Sequence, residues 1–163
     1  MTSHSIVASL ADALTRRRQQ LACAESCTGG LIAAWLTDRP GSSAWFERGV
    51  VTYTNTAKSE LLGVPDDVFR EHGAVSAACV AAMASGLLQR APVDWTLSVS
   101  GIAGPSGGSP DKPVGTVWFG WAGRGLAAET ECRHFDGDRQ AVREAAALHA
   151  LTGLLQRIDR AAG

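Results

Sequence analysis

Lysine and tyrosine are scarce in this 163-residue sequence, and charge of neither sign predominates. Only two of the 15 basic residues are lysines, there is a single tyrosine, and 16 acidic residues leave a formal charge of −1. A protein that clamps duplex DNA needs a surplus of Lys and Arg for the phosphates. The composition therefore argues against a nucleic-acid partner.

Long hydrophobic runs are also missing. The longest apolar stretches, such as residues 31–36 and 80–88, are far shorter than the roughly 20 residues that span a bilayer. The basic cluster Arg16–Arg18 follows the apolar part of the N-terminal segment, which is the reverse of a secretory signal. We predict no membrane segment and a cytoplasmic location.

The four cysteines include no CxxC pair. Because 163 residues that are 45% hydrophobic can build a core without cross-links, we expect reduced and mostly buried thiols. No spacing typical of zinc ligands is present, so we expect no metal. The length predicts one domain over residues 1–163.

Hydrophobic periodicity and β-branched composition predict an alternation of helices and strands. The predicted helices cover residues 5–19, 31–36, 58–62, 76–88 and 138–160, and the predicted strands cover residues 20–25, 47–54, 94–100, 114–121 and 126–135. A turn at Gly123–Gly125 should join the last two strands as an antiparallel edge. The pattern predicts an α/β fold, a three-layer α/β/α sandwich with a mixed, mainly parallel sheet.

The segment Glu25-Ser-Cys-Thr-Gly-Gly30 places Ser26 where a buried strand turns into a helix. Unpaired N–H groups of a first helical turn attract an anion or an oxyanion. The alternative is that Ser26 or Thr28 only caps the helix. The hydrolase elbow GxSxG is not present, because Ala24 and Thr28 stand where its glycines would be.

Tyr53 lies at the end of a predicted strand, and Lys58 follows it by five residues. A desolvated lysine can lose its proton near neutrality, which arginine cannot do. Tyr53 and Lys58 could thus form a proton-transfer pair for a serine, as in Ser-Lys hydrolases. The alternative is that an arginine-rich composition leaves Lys58 and Lys112 as incidental surface residues.

Two further features could bind phosphate. The loop at 101–110 presents several backbone N–H groups, although it is neither GxGxxG nor a P-loop. Arg139 begins the closing helix and could reach a phosphate, or simply be solvated. The four histidines have no recognisable partner spacing, so no Ser-His-Asp pattern is predicted.

The ordered set of segments resembles the CinA C-terminal domain family of nicotinamide-nucleotide amidases. The resemblance rests on AESCTGGLIA at 24–33, TDRPGSSAWFERGVVTYTNTAK at 37–58, LLGVP at 61–65, HGAVS at 72–76, SVSGIAGPSGGSPDKPVGTVWFGW at 98–121 and FDGDRQAVR at 135–143. It implies hydrolysis of the carboxamide of nicotinamide mononucleotide to nicotinic acid mononucleotide and ammonia. It also implies a homodimer. Family members often follow an N-terminal nucleotide-processing domain, but so few residues precede the first predicted helix here that we expect a stand-alone form.

The resemblance implies that Ser26 is the nucleophile and that Tyr53 and Lys58 are the proton-transfer pair. The expected substrate-binding residues are Cys27, Thr28, Gly29, Gly30, Asn55, Ser100, Gly104, Gly107 and Arg139. Ser100 stands where the family often has threonine, which keeps the hydroxyl and loses a methyl group. No metal or cofactor is expected.

Two other functions remain open at this point. One is a non-catalytic nucleotide-binding or competence-related interaction module. The other is a general amidase or peptidase with a Ser-Lys pair, which would also act on amides that lack a phosphate.

Overall fold

The computed structural model describes residues 1–163 and contains six α-helices and five β-strands. The helices are α1 (Ser3–Arg17), α2 (Leu31–Thr37), α3 (Asn55–Leu62), α4 (Asp66–His72), α5 (Ala77–Arg90) and α6 (Arg139–Ala161). The strands are β1 (Leu21–Glu25), β2 (Phe46–Val51), β3 (Trp95–Gly101), β4 (Thr116–Gly123) and β5 (Glu129–His134). None of the helices combines the length and the apolar character needed to cross a membrane.

The strands form one sheet in the order β2-β1-β3-β4-β5. Strand β1, the second in this order, runs parallel to both β2 and β3, whereas β4 is antiparallel to β3 and to β5. Only β4 therefore runs against the other strands. The predicted mixed, mainly parallel sheet and its antiparallel edge are confirmed.

Helices cover both faces of the sheet, which confirms the three-layer sandwich. Because successive side chains of a strand point to opposite faces, Cys23 joins the larger apolar cluster beneath α1, α2 and α6. Ala22 and Ala24 join the smaller cluster, which packs beneath α3, α4 and α5. All four cysteines are free and all but Cys132 are buried, as predicted.

A close approach of two helices holds α3 in place. Gly86 of α5 packs against the end of α3, and a Cβ atom there would lie 1.9 Å from the carbonyl oxygen of Leu62. Only glycine permits this distance, because any other side chain would push the helices apart. The contact fixes the position of the helix that carries Lys58.

The boundaries of some predicted elements are different in the structure. Strand β2 ends at Val51 rather than at 54, and α3 begins at Asn55 because the Thr54 hydroxyl accepts the N–H of Ala57 at its N-terminus. Helix α4 was not predicted, and it has no buried residue that could produce an apolar pattern.

Candidate active site

The predicted site residues gather around an open cavity of about 190 Å³ beside the carboxyl ends of β1 and β3. Such an edge of an open α/β sheet is where ligands usually bind. The cavity is lined by Ser26, Cys27, Tyr53, Asn55, Lys58, Ala74, Val75, Ser100, Gly101, Ala103 and Arg139. All three residues predicted to be catalytic are among them.

Ser26 and Lys58 are in direct contact. The Lys58 Nζ atom lies 2.9 Å from the Ser26 Oγ atom, and both side chains are buried, with Lys58 only 1% exposed. The interpretation of Lys58 as an incidental surface lysine is therefore wrong. Lys112, the other lysine, lies outside the cavity and donates to the carbonyl oxygen of His72.

The amine of Lys58 has no acidic partner. Its Nζ atom is 2.9 Å from the carbonyl oxygen of Thr52 and 3.4 Å from that of Tyr53. In every ion pair of the chain the basic partner is an arginine or a histidine, never Lys58. Burial lowers the pKa of Lys58, and the nearby thiols of Cys79 and Cys27 oppose that effect.

The loop that carries Ser26 links β1 to α2. The Ser26 N–H donates to the carbonyl oxygen of Val99 at 3.0 Å, and the Gly29 N–H donates to that of Ser26 at 3.0 Å. Gly30 is the N-cap of α2 and makes no side-chain capping bond. The interpretation of Ser26 or Thr28 as a helix cap is therefore wrong.

A buried carboxylate takes the position expected for an external anion. The Glu25 side chain is 1% exposed and accepts the N–H groups of Ile32 and Ala33 at 2.9 and 3.0 Å. An acceptor at the first turn of a helix satisfies donors that would otherwise be unpaired. The first-turn anion site expected for a ligand is thus occupied by the protein itself.

Three backbone N–H groups of the loop remain free. Those of Cys27, Thr28 and Gly30 donate to no acceptor elsewhere in the protein. Cys27 lines the cavity, and burial raises the pKa of its thiol to about 11. The thiol is therefore protonated near neutrality.

The structure brings the Tyr53 phenol to Arg139 rather than to the Lys58 amine. The Arg139 Nη2 atom donates to the Tyr53 hydroxyl at 2.9 Å, and Nη1 donates to the carbonyl oxygen of Gly104 at 2.9 Å. Lys58 contacts Tyr53 only at the backbone carbonyl. The phenol is exposed, so Tyr53 and Arg139 form a polar wall at the mouth of the cavity.

The other predicted substrate-binding residues divide into two groups. Asn55 and Ser100 line the cavity, and their side chains make no hydrogen bond to the protein. The residues that do not line it are Thr28, Gly29, Gly30, Gly104 and Gly107. Gly29 and Gly30 have φ angles of +60° and +101°, so they shape the turn of the Ser26 loop.

Two charged residues next to the site were not predicted. One is Glu25, described above, and the other is Arg143 on α6. The Arg143 Nε atom donates to the carbonyl oxygen of Cys27 at 3.0 Å, and Nη2 donates to that of Thr28 at 2.9 Å. Arg143 follows Arg139 by one helical turn, and this spacing could have indicated that both reach the same end of the sheet.

Fold and site together define an α/β-sandwich protein with a buried serine–lysine pair at the carboxyl ends of its parallel strands. The profile of the CinA C-terminal domain family matches residues 3–158. The chain belongs to that family.

Named relatives and a solved structure resemble the chain over most of its length. A nicotinamide-nucleotide amidohydrolase PncC of Enterobacter agglomerans is 52% identical over 153 residues, which are 94% of this chain and 93% of that protein. A putative competence-damage inducible protein of Symbiobacterium thermophilum is 56% identical over 146 residues, which are 85% of this chain but 34% of that protein. The crystal structure of competence damage-inducible protein A from Klebsiella pneumoniae has a TM-score of 0.93 at 42% identity and 98% coverage of both chains.

Proposed function

We propose that this chain hydrolyses the carboxamide of nicotinamide mononucleotide, giving nicotinic acid mononucleotide and ammonia. The 2.9 Å contact between the Lys58 amine and the Ser26 hydroxyl carries the proposal, because it pairs a nucleophile with a base inside a ligand-sized cavity. The name of the relative at 52% identity supports the same substrate.

Lys58 acts as the general base in its neutral form. A neutral amine has two N–H donors and one lone pair. The carbonyl oxygens of Thr52 and Tyr53 can accept the two N–H groups, which leaves the lone pair for the Ser26 hydroxyl proton. Burial favours this neutral state because it lowers the pKa of the amine.

The reaction has two halves. In the first, Ser26 Oγ bonds to the carboxamide carbon while Lys58 takes its proton, and the cationic pyridinium ring of the substrate makes that carbon more electrophilic. The C–N bond then breaks as Lys58 returns a proton to the leaving nitrogen, which departs as ammonia. In the second, a water molecule gives a proton to Lys58 and attacks the ester, and Ser26 recovers its proton as the acid leaves.

The free N–H group of Cys27, which lines the cavity, holds the oxyanion that forms on the carboxamide oxygen. Donors fixed before the reaction stabilise developing charge without reorganising. Gly29 and Gly30 contribute through the shape of this loop and not through contacts of their own.

The nucleotide is held at the mouth of the cavity. The Arg139 guanidinium and the Tyr53 hydroxyl offer a charged and a neutral polar group, and Arg139 suits a phosphate. Asn55 and Ser100 have unpaired polar atoms for the remaining polar groups of the substrate. We therefore propose proton transfer for Lys58 and substrate contact for the Tyr53 phenol.

One amidase domain over residues 1–163, a homodimer and a cytoplasmic location remain predictions. They derive from the length, the composition and the family resemblance of the sequence.

Ammonia release from three compounds tests the proposal. We expect release from nicotinamide mononucleotide and little from free nicotinamide or a simple peptide amide, because only the first offers a pyridinium ring and a phosphate. Comparable rates on the peptide amide would instead identify a general Ser-Lys amidase. Binding of the mononucleotide without ammonia release would identify a non-catalytic nucleotide-binding module.

A further inference from the structure

Tyr53 is the only residue with an aromatic ring that lines the cavity beside Ser26. The residue is 57% exposed, whereas Ser26 and Lys58 in the same cavity are buried. The hydrocarbon side chains that share the lining are small, namely Ala74, Val75 and Ala103. A flat ring in a ligand therefore has one aromatic partner in this cavity.

Two bonds hold Tyr53 at opposite ends. Its hydroxyl accepts the Nη2 group of Arg139 at 2.9 Å, and its backbone carbonyl oxygen lies 3.4 Å from the Lys58 Nζ atom. The ring thus lies between the proposed base and the proposed phosphate contact. A mononucleotide with its carboxamide at Ser26 and its phosphate at Arg139 has to pass beside this ring.

The cavity offers no carboxylate to a positively charged ligand. Neither Asp nor Glu lines it, and its two basic side chains are those of Lys58 and Arg139. The face of an aromatic ring bears partial negative charge and attracts a cation that lies within about 6 Å of the ring centre. Tyr53 is the one lining side chain that combines a flat apolar contact with such a face.

We propose that the ring face of Tyr53 binds the cationic pyridinium ring of the substrate and selects for its charge. The inference rests on the proposed function, and it concerns the aromatic ring rather than the phenol hydroxyl. The pyridinium keeps its charge while the carboxamide is hydrolysed, so the contact is equally strong in the ground state and in the transition state. Such uniform binding lowers KM and leaves kcat unchanged.

The test compares two ligands that differ in ring charge. One is nicotinamide mononucleotide, and the other is its neutral analogue, in which a benzamide ring joined to the ribose by a carbon–carbon bond replaces the pyridinium ring. Calorimetry measures both Kd values in the Ser26→Ala background, where the amide is not consumed. The readout is the Kd of the neutral analogue divided by that of the mononucleotide.

Substitutions of Tyr53 in this background should change the ratio according to whether a ring remains. Tyr53→Leu should lower it by roughly 2- to 30-fold, which is the range of a cation–π contact from an exposed to a desolvated site. Tyr53→Phe also loses the bond to Arg139 but keeps the ring, so its ratio should stay within about twofold of the parent value. Phe69→Leu is the matched control, since Phe69 lies outside the cavity.

Steady-state kinetics with Ser26 intact give a second readout. Tyr53→Leu should raise KM for the mononucleotide by roughly the same 2- to 30-fold, with kcat within about threefold of the wild type. A residue that transfers protons would behave differently, because its loss lowers kcat. A circular dichroism melt checks that the variant is folded, and Tyr53→Met replaces it if it is not.

The inference is overturned if Tyr53→Leu keeps the parent ratio, or if Tyr53→Phe loses it as completely as Tyr53→Leu does. A lower kcat at unchanged KM in both variants would assign Tyr53 to proton transfer and would overturn the inference as well. A wild-type protein that binds the mononucleotide but releases no ammonia would overturn the proposed function alone, and the ratio of Kd values would still decide the role of the Tyr53 ring.

Discussion

The Lys58 Nζ and Ser26 Oγ atoms lie 2.9 Å apart although 32 residues separate them in the sequence. Ser26 follows the interior strand β1, and Lys58 projects from α3, which packs on one face of the sheet. No histidine lines the cavity around this pair. The only base in contact with the serine is therefore an amine.

Ser26→Ala should abolish ammonia release from nicotinamide mononucleotide while the protein stays folded, because the covalent route needs the hydroxyl. The rate of release and a circular dichroism melt are the measurements. Ser59→Ala is the matched control, since its hydroxyl lies one residue after Lys58 and bonds to the carbonyl oxygen of Val64 outside the cavity. Wild-type turnover by Ser26→Ala would remove this serine from the mechanism.

Lys58→Met should lower kcat by about 10²- to 10⁴-fold, which is the usual contribution of a general base. The side chain is similar in length and cannot accept a proton. Lys112→Met is the control and should keep its activity, because Lys112 lies outside the cavity. Equal effects of the two substitutions on kcat would contradict a specific role for Lys58.

Arg139→Ala should raise KM for the mononucleotide more than it lowers kcat. A hydrogen bond to a charged group is worth about 1.5–3 kcal/mol, which corresponds to roughly a 10- to 100-fold increase in KM if binding is uniform. Steady-state kinetics measure both constants, and Arg133→Ala on the exposed strand β5 is the control. An unchanged KM would assign Arg139 to another role.

Glu25→Gln should destabilise the fold by about 1–3 kcal/mol, because the new amide nitrogen would face a backbone N–H of α2. Urea unfolding measures the free energy directly. Glu60→Gln is the matched control on an exposed site and should have little effect. An equal stability of both variants would show that the Glu25 carboxylate does not secure α2.

Local patterns predicted most of the fold. Helix α5 was clear from the Ser76 N-cap and the spacing of Val80, Met83 and Leu87, and in the structure Ser76 Oγ does accept the Cys79 N–H. The antiparallel pairing of β3 with β4 could not be predicted, since a long loop separates them and the pairing is a tertiary contact. Helix α4 was not predicted, because none of its residues is fully buried.

Seven of the twelve predicted site residues line the cavity, but the contacts among them were not predictable from the sequence. The scarcity of lysine indicated Lys58, and the turn from a predicted strand into a predicted helix indicated Ser26. The bond between Tyr53 and Arg139 joins residues 86 apart, and no local signal encodes it. The capping of α2 by Glu25 was not predictable either, because the carboxylate acts across a loop and not from the position directly before the helix.

The pKa of Lys58 tests the account most directly. In Lys112→Arg, Lys58 is the only lysine, so its side-chain NMR signal can be followed alone across pH. The neutral amine is the active form, so kcat/KM should rise with pH through the pKa of Lys58, which burial holds below its usual range. We predict that the NMR midpoint lies below that of an ordinary lysine and coincides with the midpoint of the kcat/KM profile. An NMR midpoint at or above the ordinary value would contradict the role of Lys58 as the base that activates Ser26.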